Sequence, residues 1–304
     1  MGFIKALFLL YYVTLEPDGG FMSVGTAPIS ILMSTYHRDD PQQLWDSLRS
    51  VRDQTLVPAE IVIVVGGAIN HEIEHTLSRF AETVPPTELV IVRQEQNLGL
   101  GAALQLGLKH CRYLLVARMD SDDLAHPDRL EKQYAFMATH PDTDILSSWH
   151  EEFDQDPAQI NAIKKTPPAH EQIARILWWR NVISHPTLMF RTDPIRSIGG
   201  YRQLWHSEDL DLYLRAATAG LHFASIQEPL VSMRTNLAQK ARRTGFRQTM
   251  LNLQWRWNLF REGHLRLWQF AIVAPAYYVF HIVPSGTKQW LYKFVRSTPK
   301  ADQG

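Results

Sequence analysis

Three aspartates, Asp120, Asp122 and Asp123, come directly after an apolar run that begins at Tyr113. A short apolar run predicts a buried parallel strand, and ligands of open α/β sheets bind beyond the carboxyl ends of such strands. Hard divalent cations take oxygen ligands and often keep substrate phosphates in their coordination shell. This aspartate cluster therefore suggests a metal–diphosphate site. The same residues are also typical of turns and of a helix cap near Pro127.

A second acidic pair, Glu208 and Asp209, opens the run from His206 to Arg215. The apolar spacing of this run predicts a helix with Ser207 at its N-cap. Acidic side chains in a first turn are favoured by the positive end of the helix dipole. The helix alone can therefore explain the pair, unless the fold brings it close to the aspartate cluster.

The elements that must position these acids alternate between strands and helices. Strands are predicted at 28–34, 60–65, 89–92, 113–119 and 144–149, and helices at 41–54, 70–80, 99–110 and 127–139. This alternation predicts an α/β fold with a doubly wound, mainly parallel sheet and helices on both faces. The run 60–65 is almost free of polar residues and is expected at the centre of the sheet.

The second half of the chain is less regular. We expect a polar loop or hairpin at 150–168, a helix at 171–180, a strand at 185–190 and a turn at 198–201. The sequence contains no repeat, no low-complexity segment and no clear linker that would mark a domain boundary.

The C-terminal region, residues 234–304, is strongly basic. It holds 12 Lys and Arg against 2 Asp and Glu, so the net charge of zero conceals two parts of opposite sign. Helices are predicted at 246–262 and 265–283. Arg266, Gln269 and Pro275 interrupt the second, which makes it a poor membrane span. Its aromatic residues suit either packing on the folded core or docking at a membrane interface.

The composition and the N-terminal segment indicate the cellular compartment in which the protein works. Of 304 residues, 45% are hydrophobic and 20% charged, as is typical of soluble globular proteins. The single cysteine, Cys111, excludes an internal disulfide, indicates a reducing compartment and is interpreted as a packed thiol. Residues 1–22 are an apolar leader, whose apolar run at 1–13 is too short to span a bilayer and lacks a signal-peptide pattern. Met22 is an alternative natural start, and an interfacial anchor is the other interpretation of the leader.

Several motifs occur in a recognisable order: Asn97-Leu-Gly-Leu-Gly-Ala-Ala-Leu, Met119-Asp-Ser-Asp-Asp, Pro127-Asp-Arg-Leu and His206-Ser-Glu-Asp-Leu. Together they resemble the inverting family 2 glycosyltransferases of GT-A fold. His185-Pro-Thr-Leu-Met-Phe-Arg and Gly199-Gly-Tyr-Arg are similar to the bacterial exopolysaccharide, amylovoran-type members. The resemblance covers roughly residues 28–230.

This resemblance implies a domain arrangement. Residues 23–233 would form the GT-A catalytic domain, with a donor half at about 28–125 and an acceptor half at about 126–233. Residues 234–304 would form a basic, aromatic-rich helical extension.

The resemblance also implies a reaction and roles for the acids. The family transfers a sugar from a nucleoside-diphosphate donor with inversion. Asp120 would bind the donor ribose, Asp122 would bind Mg²⁺ or Mn²⁺, and Asp123 would help to order the turn. A one-step inversion needs a base opposite the leaving group. Asp209 is the candidate base, and Glu208 would position the acceptor.

Further donor contacts are implied for Thr35, Tyr36, Asp39 and Ser121, and for Asn97 and Gly99 in a loop close to the donor. One departure concerns base recognition. Where the family usually carries an Asp-Asp-Gly-Ser-like turn, this chain has Val64-Val-Gly-Gly-Ala without an acid, so the nucleoside is not implied.

On the acceptor side, His185, Arg242 and Arg243 are candidate contacts to the acceptor or to a diphosphate. The expected partners are a nucleotide-sugar and a saccharide or lipid-linked acceptor in cell-surface polysaccharide synthesis. The expected location is the cytoplasm, with peripheral association at the cytoplasmic membrane face.

Two alternative functions remain open: a nucleotidyltransferase on a related sheet and a non-catalytic nucleotide- or saccharide-binding domain. A nucleic-acid partner is not expected, because no nucleic-acid-binding motif accompanies the basic residues.

Overall fold

The described part of this chain folds into a nine-stranded mixed sheet with helices on both faces. In the computed structural model the described residues are 26–204, 207–235 and 246–282. The predicted leader at 1–22 and the candidates Arg242 and Arg243 lie outside them. The strands are β1 (Ala27–Tyr36), β2 (Pro58–Gly66), β3 (Glu88–Gln94), β4 (Leu115–Arg118), β5 (Leu124–Ala125), β6 (Ile145–Phe153), β7 (Ala162–Lys164), β8 (Met189–Arg191) and β9 (Phe223–Arg234).

The helices alternate with the strands in the first half and cluster in the second. They are α1 (Pro41–Arg52), α2 (His71–Ala81), α3 (Leu100–His110), α4 (Arg129–Thr139), α5 (His170–Leu177), α6 (Thr192–Ser197), α7 (Glu208–Thr218), α8 (Phe246–Arg261) and α9 (Leu267–Ile282). None of these described helices combines the length and the apolar character that crossing a membrane would require.

The strand order is β3-β2-β1-β4-β8-β6-β9-β5, and β7 pairs with β6. The run β3-β2-β1-β4 is parallel, β8 is antiparallel to both β4 and β6, and β9 is again parallel to β6. The predicted mainly parallel α/β sheet is confirmed. The position of β2 is corrected: all its residues are buried, but it lies next to the edge strand β3 rather than at the centre.

The two faces of the sheet bury two separate cores because side chains alternate along each strand. Ile31 and Met33 of β1 face a core with α1, α2 and α4, whereas Leu32 faces a core with α3, α5 and α7. Cys111 is buried as predicted, and burial raises the pKa of its thiol to about 12.

The second half differs most from expectation. The twelve-residue strand β9 was not predicted, because Pro229 within the run argues against a strand. The sheet accommodates this proline by register shifts on either side of Trp149 in β6. The predicted strand at 185–190 is instead a 3₁₀ turn at His185–Thr187 followed by β8.

Ser207 is the N-cap residue of α7, as predicted, but its side chain does not cap the helix. Its φ is +65°, and its hydroxyl donates to Asn252 Oδ1 at 3.3 Å rather than to a backbone N–H of the first turn.

Candidate active site

The aspartate cluster lies at the carboxyl end of β4, as predicted. Ligand oxygens of Asp120, Asp122 and Asp123 all lie within 4.8 Å of one another. The backbone holds this segment in place because Met119 N–H donates to Leu32 C=O at 3.1 Å and Ser47 Oγ donates to Asp120 C=O at 2.7 Å. Neighbouring β1 and helix α1 therefore fix where the three carboxylates stand.

Arg118, the last residue of β4, neutralises Asp120. Its guanidinium is only 1% exposed and makes a two-pronged ion pair with the Asp120 carboxylate. Burial opposes the charge of Arg118, but Asp120 outweighs this effect, so the pKa of Arg118 is raised. The Arg118 guanidinium therefore balances the charge of Asp120. The other two carboxylates of the cluster are those of Asp122 and Asp123.

Asp123 is 1% exposed and orders the turn, in agreement with its expected role. Its Oδ1 accepts a hydrogen bond of 2.9 Å from Arg234 N–H of β9, while its buried Oδ2 has no hydrogen-bond partner among the described residues. Burial, followed by the charges of Asp120 and Asp122, raises the pKa of Asp123 well above its ordinary value.

These observations test whether a divalent cation fits the cluster. The donor set is made of carboxylate oxygens only, which suits Mg²⁺ or Mn²⁺. A buried carboxylate oxygen without a partner is costly unless a cation or a proton occupies it. Asp122, with the free oxygen of Asp123, therefore fits a hard divalent cation.

The residues of the first loop that are expected to contact the sugar donor lie beside the aspartate cluster. Thr35 Oγ1 donates to Asp39 Oδ2 at 2.9 Å, and Tyr36 N–H donates to the same oxygen at 3.3 Å. Burial raises the pKa of Asp39, hydrogen bonds from Ser121 and Thr35 oppose that effect, and the charge of Asp120 adds to it. Thr35, Asp39 and Ser121 thus form one hydrogen-bonded group beside the aspartates.

Asn97 and Gly99 lie beside the ends of β1 and β2. Asn97 Oδ1 accepts a hydrogen bond of 2.9 Å from Gly99 N–H. Gly67, at φ +79°, brings its backbone so near that a Cβ there would lie 3.0 Å from Asn97 N. The acid-free turn at Gly66 and Gly67 therefore packs closely against the loop that precedes α3.

The second acidic pair opens α7. Asp209 Oδ2 accepts a hydrogen bond of 2.7 Å from Asn181 Nδ2. Burial, followed by the charge of Asp209, raises the pKa of Glu208 to about 7. The charge of Arg118 lowers the pKa of Glu208, and the charge of Asp120 raises it. The pair is therefore close enough to the aspartate end of β4 for their electrostatics to be coupled.

Tyr201 is buried and is affected by the charges of both acidic groups. Burial raises the pKa of its hydroxyl; the charges of Asp209, Glu208 and Asp120 raise it further, and Arg118 opposes them. The fold thus brings the acids of β4 and α7 to one region, which neither segment by itself implies.

His185 contacts this same tyrosine. Its Nε2 lies 3.0 Å from the Tyr201 hydroxyl, and burial, followed by the charge of Arg118, lowers its pKa well below the ordinary value. His185 is therefore a neutral, buried residue behind the site. Its predicted contact with acceptor or diphosphate stays a prediction.

Gly101 allows the donor loop and the acidic helix to approach. A Cβ at this position would lie 2.2 Å from Arg202 C=O and 3.1 Å from Glu208 Cβ. The first turn of α3 can therefore pack directly against the first turn of α7 only because position 101 has no side chain.

Four residues of the site were missed by sequence reasoning: Arg118, Asn181, Tyr201 and Gly101. A charged residue inside an apolar strand was a signal for Arg118, and the Gly-x-Gly spacing was a signal for Gly101. Asn181 lies in an irregular segment without such a signal.

Known proteins resemble this chain over most of its length. Residues 30–199, more than half of the chain, match the profile described as Glycosyl transferase family 2. The chain is 31% identical over 274 residues to the UDP-Gal:alpha-D-GlcNAc-diphosphoundecaprenol beta-1,3-galactosyltransferase of Escherichia coli, covering 90% of this chain and 98% of that protein. It is 34% identical over 217 residues to the amylovoran biosynthesis glycosyltransferase AmsE of Erwinia amylovora, covering 71% and 80%. The predicted resemblance is confirmed.

Solved structures share the fold. The mannosyltransferase PcManGT from Pyrobaculum calidifontis, in complex with GDP-Man and Mn²⁺, matches 96% of this chain and 88% of its own, with a TM-score of 0.57 and 18% identity. Structures of S. aureus TarS match at TM-scores from 0.54 to 0.59 and 18% identity, and this chain spans between 36% and 65% of their length. The predicted GT-A fold is confirmed.

Proposed function

This chain belongs to glycosyl transferase family 2 and is a glycosyltransferase, and we propose that it transfers a sugar with inversion from a nucleoside-diphosphate donor to a lipid-linked saccharide. One observation carries the proposal. The first turn of α7, with Glu208 and Asp209, packs against the donor loop at Gly101. The charges of Arg118 and Asp120 act on Glu208, so a leaving diphosphate and an incoming hydroxyl would meet between the two acidic groups.

The chemistry at the donor follows from the charges. Breaking the glycosidic bond places negative charge on the departing nucleoside diphosphate. A divalent cation held by Asp122 and Asp123 supplies compensating positive charge when bound. Arg118 holds Asp120 in one orientation, so that its carboxylate can accept hydrogen bonds from the donor ribose. Thr35, Tyr36, Asp39, Asn97, Gly99 and Ser121 are the proposed further donor contacts.

The chemistry at the acceptor requires a base on the opposite side. Asp209 would take the proton of the acceptor hydroxyl as that oxygen attacks the anomeric carbon. Asn181 and the backbone N–H of Leu210 donate to its two oxygens and hold the carboxylate in place. Glu208, adjacent and with a pKa near 7, would accept a hydrogen bond from the acceptor and position it.

The relatives suggest the first substrates to test. The E. coli relative is named for UDP-Gal and for a diphosphoundecaprenol-linked GlcNAc. We therefore propose a uridine-diphosphate sugar as donor and a polyprenyl-diphosphate saccharide as acceptor, in cell-surface polysaccharide synthesis. The enzyme would work at the cytoplasmic membrane face, where such an acceptor is presented.

The test is a transfer assay with UDP-Gal, UDP-GlcNAc and GDP-Man and a short-chain polyprenyl-diphosphate saccharide, with Mn²⁺ or with a chelator. We expect release of nucleoside diphosphate that needs the metal, and a product whose anomeric configuration is inverted by NMR. Retained configuration would refute the one-step mechanism. Pyrophosphate as the product would instead identify a nucleotidyltransferase.

A further inference from the structure

The exposed large apolar side chains are unevenly distributed over the described surface. Trp257 is 45% exposed, Trp268 49%, Leu267 65% and Ile272 54%, and all four lie on α8, α9 or their junction. Trp179, at the end of α5, is 44% exposed. We name these five residues the aromatic surface. An exposed apolar patch of this kind marks a site of contact with another molecule or a membrane.

Ring contacts support the aromatic surface from below. Trp268 packs edge-on against Trp178, which precedes Trp179, with ring centres 5.0 Å apart. The Trp257 and Phe270 rings lie 5.5 Å apart, so aromatic side chains also join α8 to α9. These ring contacts hold the exposed tryptophans in one arrangement.

The opposite face of α8 is anchored to the site. Trp255 Nε1 donates to the buried Asp211 carboxylate of α7 at 3.0 Å, and Leu259 is fully buried. The helix that carries Glu208 and Asp209 is therefore in direct contact with the helix that presents Trp257. A molecule docked on the aromatic surface would therefore lie at a fixed position relative to Glu208 and Asp209.

Most of the charged side chains beside this surface are basic. Helices α8 and α9 contain no Asp or Glu. Arg180, Arg261 and Arg266 are exposed beside it. The nearby Glu262 is paired with Arg202 at 2.6 Å. Tryptophans flanked by arginines are typical of side chains that sit at the level of lipid headgroups, and the absence of acids suits an anionic surface.

We propose that the aromatic surface docks this enzyme on an anionic phospholipid bilayer, with the tryptophans at headgroup depth. The inference deepens the proposed function and rests on it only for the identity of the acceptor. Asn181, two residues after Trp179, donates to Asp209. The bilayer would therefore lie next to the acceptor side of the site, where a lipid-linked diphosphate saccharide emerges from the membrane.

The test is binding of the full chain to vesicles of phosphatidylcholine with phosphatidylglycerol, compared with vesicles of phosphatidylcholine alone. The double variant Trp257→Ser/Trp268→Ser should bind the anionic vesicles at least about tenfold more weakly, because it removes two exposed aromatic groups that the bilayer would bury. The matched control is Leu114→Ser/Ile163→Ser, which removes two apolar side chains, 70% and 49% exposed, from elsewhere on the surface. The control should bind like the wild type.

Two further measurements use the wild-type enzyme and an arginine variant. Brominated phosphatidylglycerol should quench tryptophan fluorescence of the wild-type enzyme, and Arg261→Gln/Arg266→Gln should reduce the preference for anionic vesicles. Unchanged vesicle binding in the tryptophan variant would overturn the proposal. So would a wild type that binds no anionic vesicles, or a dimer that the tryptophan variant dissociates, because a second copy would then occupy this surface.

Activity separates this proposal from the proposed function. The tryptophan variant should keep wild-type turnover with a water-soluble saccharide acceptor and lose turnover with the lipid-linked acceptor in vesicles. If a folded tryptophan variant lost turnover with both acceptors, the role of these tryptophans would not be membrane docking. Vesicle binding without any sugar transfer by the wild type would leave docking intact and refute the proposed function.

Discussion

Asn181 donates a hydrogen bond of 2.7 Å from its side-chain amide to Asp209 Oδ2. The backbone N–H of Leu210 donates to Oδ1 of the same carboxylate, also at 2.7 Å. The two donors together bind both oxygens of this carboxylate and so hold it in one orientation. Asn181 comes from the irregular segment after α5, whereas Asp209 begins α7. The contact thus fixes the candidate base from outside its own helix.

The first prediction concerns this contact. Asp209→Asn should lower kcat by about 10²–10⁴-fold and leave donor binding unchanged, because general-base catalysis is lost. Asn181→Ala should lower kcat by about tenfold, and the double variant should be no slower than Asp209→Asn, because Asn181 acts through Asp209. Turnover is measured by nucleoside diphosphate release, and donor affinity by calorimetry.

The matched control for that cycle is Asp193→Asn, an exposed first-turn acid of α6. It should keep wild-type turnover. Normal activity in Asp209→Asn would show that the base assignment is wrong and that the pair serves only the helix dipole.

The second prediction concerns pH. The pKa of Glu208 is raised to about 7, so its carboxyl is mostly neutral below that pH and ionised above it. An ionised Glu208 accepts a hydrogen bond from the acceptor hydroxyl and positions it. We therefore expect kcat/KM to rise with pH through about 7 in the wild type. In Glu208→Gln the profile should be flat from about pH 6 to 8. An unchanged inflection in this variant would assign the titration to another group.

The third prediction concerns the metal. Asp122→Asn should weaken Mn²⁺ binding, measured by electron paramagnetic resonance with the nucleoside diphosphate present, by at least about tenfold. Asp123→Asn should weaken it as well, because its Oδ2 has no protein partner among the described residues. Asp142→Asn, at an exposed position, is the control. If Asp122→Asn binds Mn²⁺ like the wild type, the cluster is not the metal site.

The fourth prediction concerns stability. Arg118→Met leaves the Asp120 carboxylate without its buried partner and should lower the free energy of unfolding by about 3 kcal/mol in urea titrations. Adding Asp120→Asn should restore at least about 1 kcal/mol, since the unpaired charge is removed. Arg93→Met breaks the exposed pair with Glu74 and should cost less than about 1 kcal/mol. Equal costs for Arg118 and Arg93 would argue against a buried pair.

The fifth prediction concerns the contact between α3 and α7 at Gly101. Gly101→Ala forces α3 away from Arg202 C=O and should lower kcat/KM more than tenfold while costing about 1–3 kcal/mol of stability. Gly107→Ala, in the same helix, meets Leu32 and Val64 in the core instead. That variant should lose stability but keep kcat/KM. Equal activity losses in the two variants would show that position 101 has no special effect on Glu208.

Sequence patterns by themselves established much of this protein. The alternation of strands and helices in the first half placed the aspartate cluster at a sheet edge, because side-chain periodicity and strand length are local properties. The order of the motifs also identified the family. The irregular second half was predicted less well, because Pro229 in β9 is tolerated only through register shifts with a partner strand, β6, that is distant in sequence.

Only the tertiary structure decided that the two acidic groups share one region. Asp120 and Glu208 lie 88 positions apart in the chain, and their approach depends on Gly101, on the buried Arg118 and on Tyr201. Likewise, composition showed a basic, aromatic C-terminal region, but packing decided which tryptophans are buried and which are exposed. Electrostatic coupling and exposure depend on distances between segments, and no local pattern contains those distances.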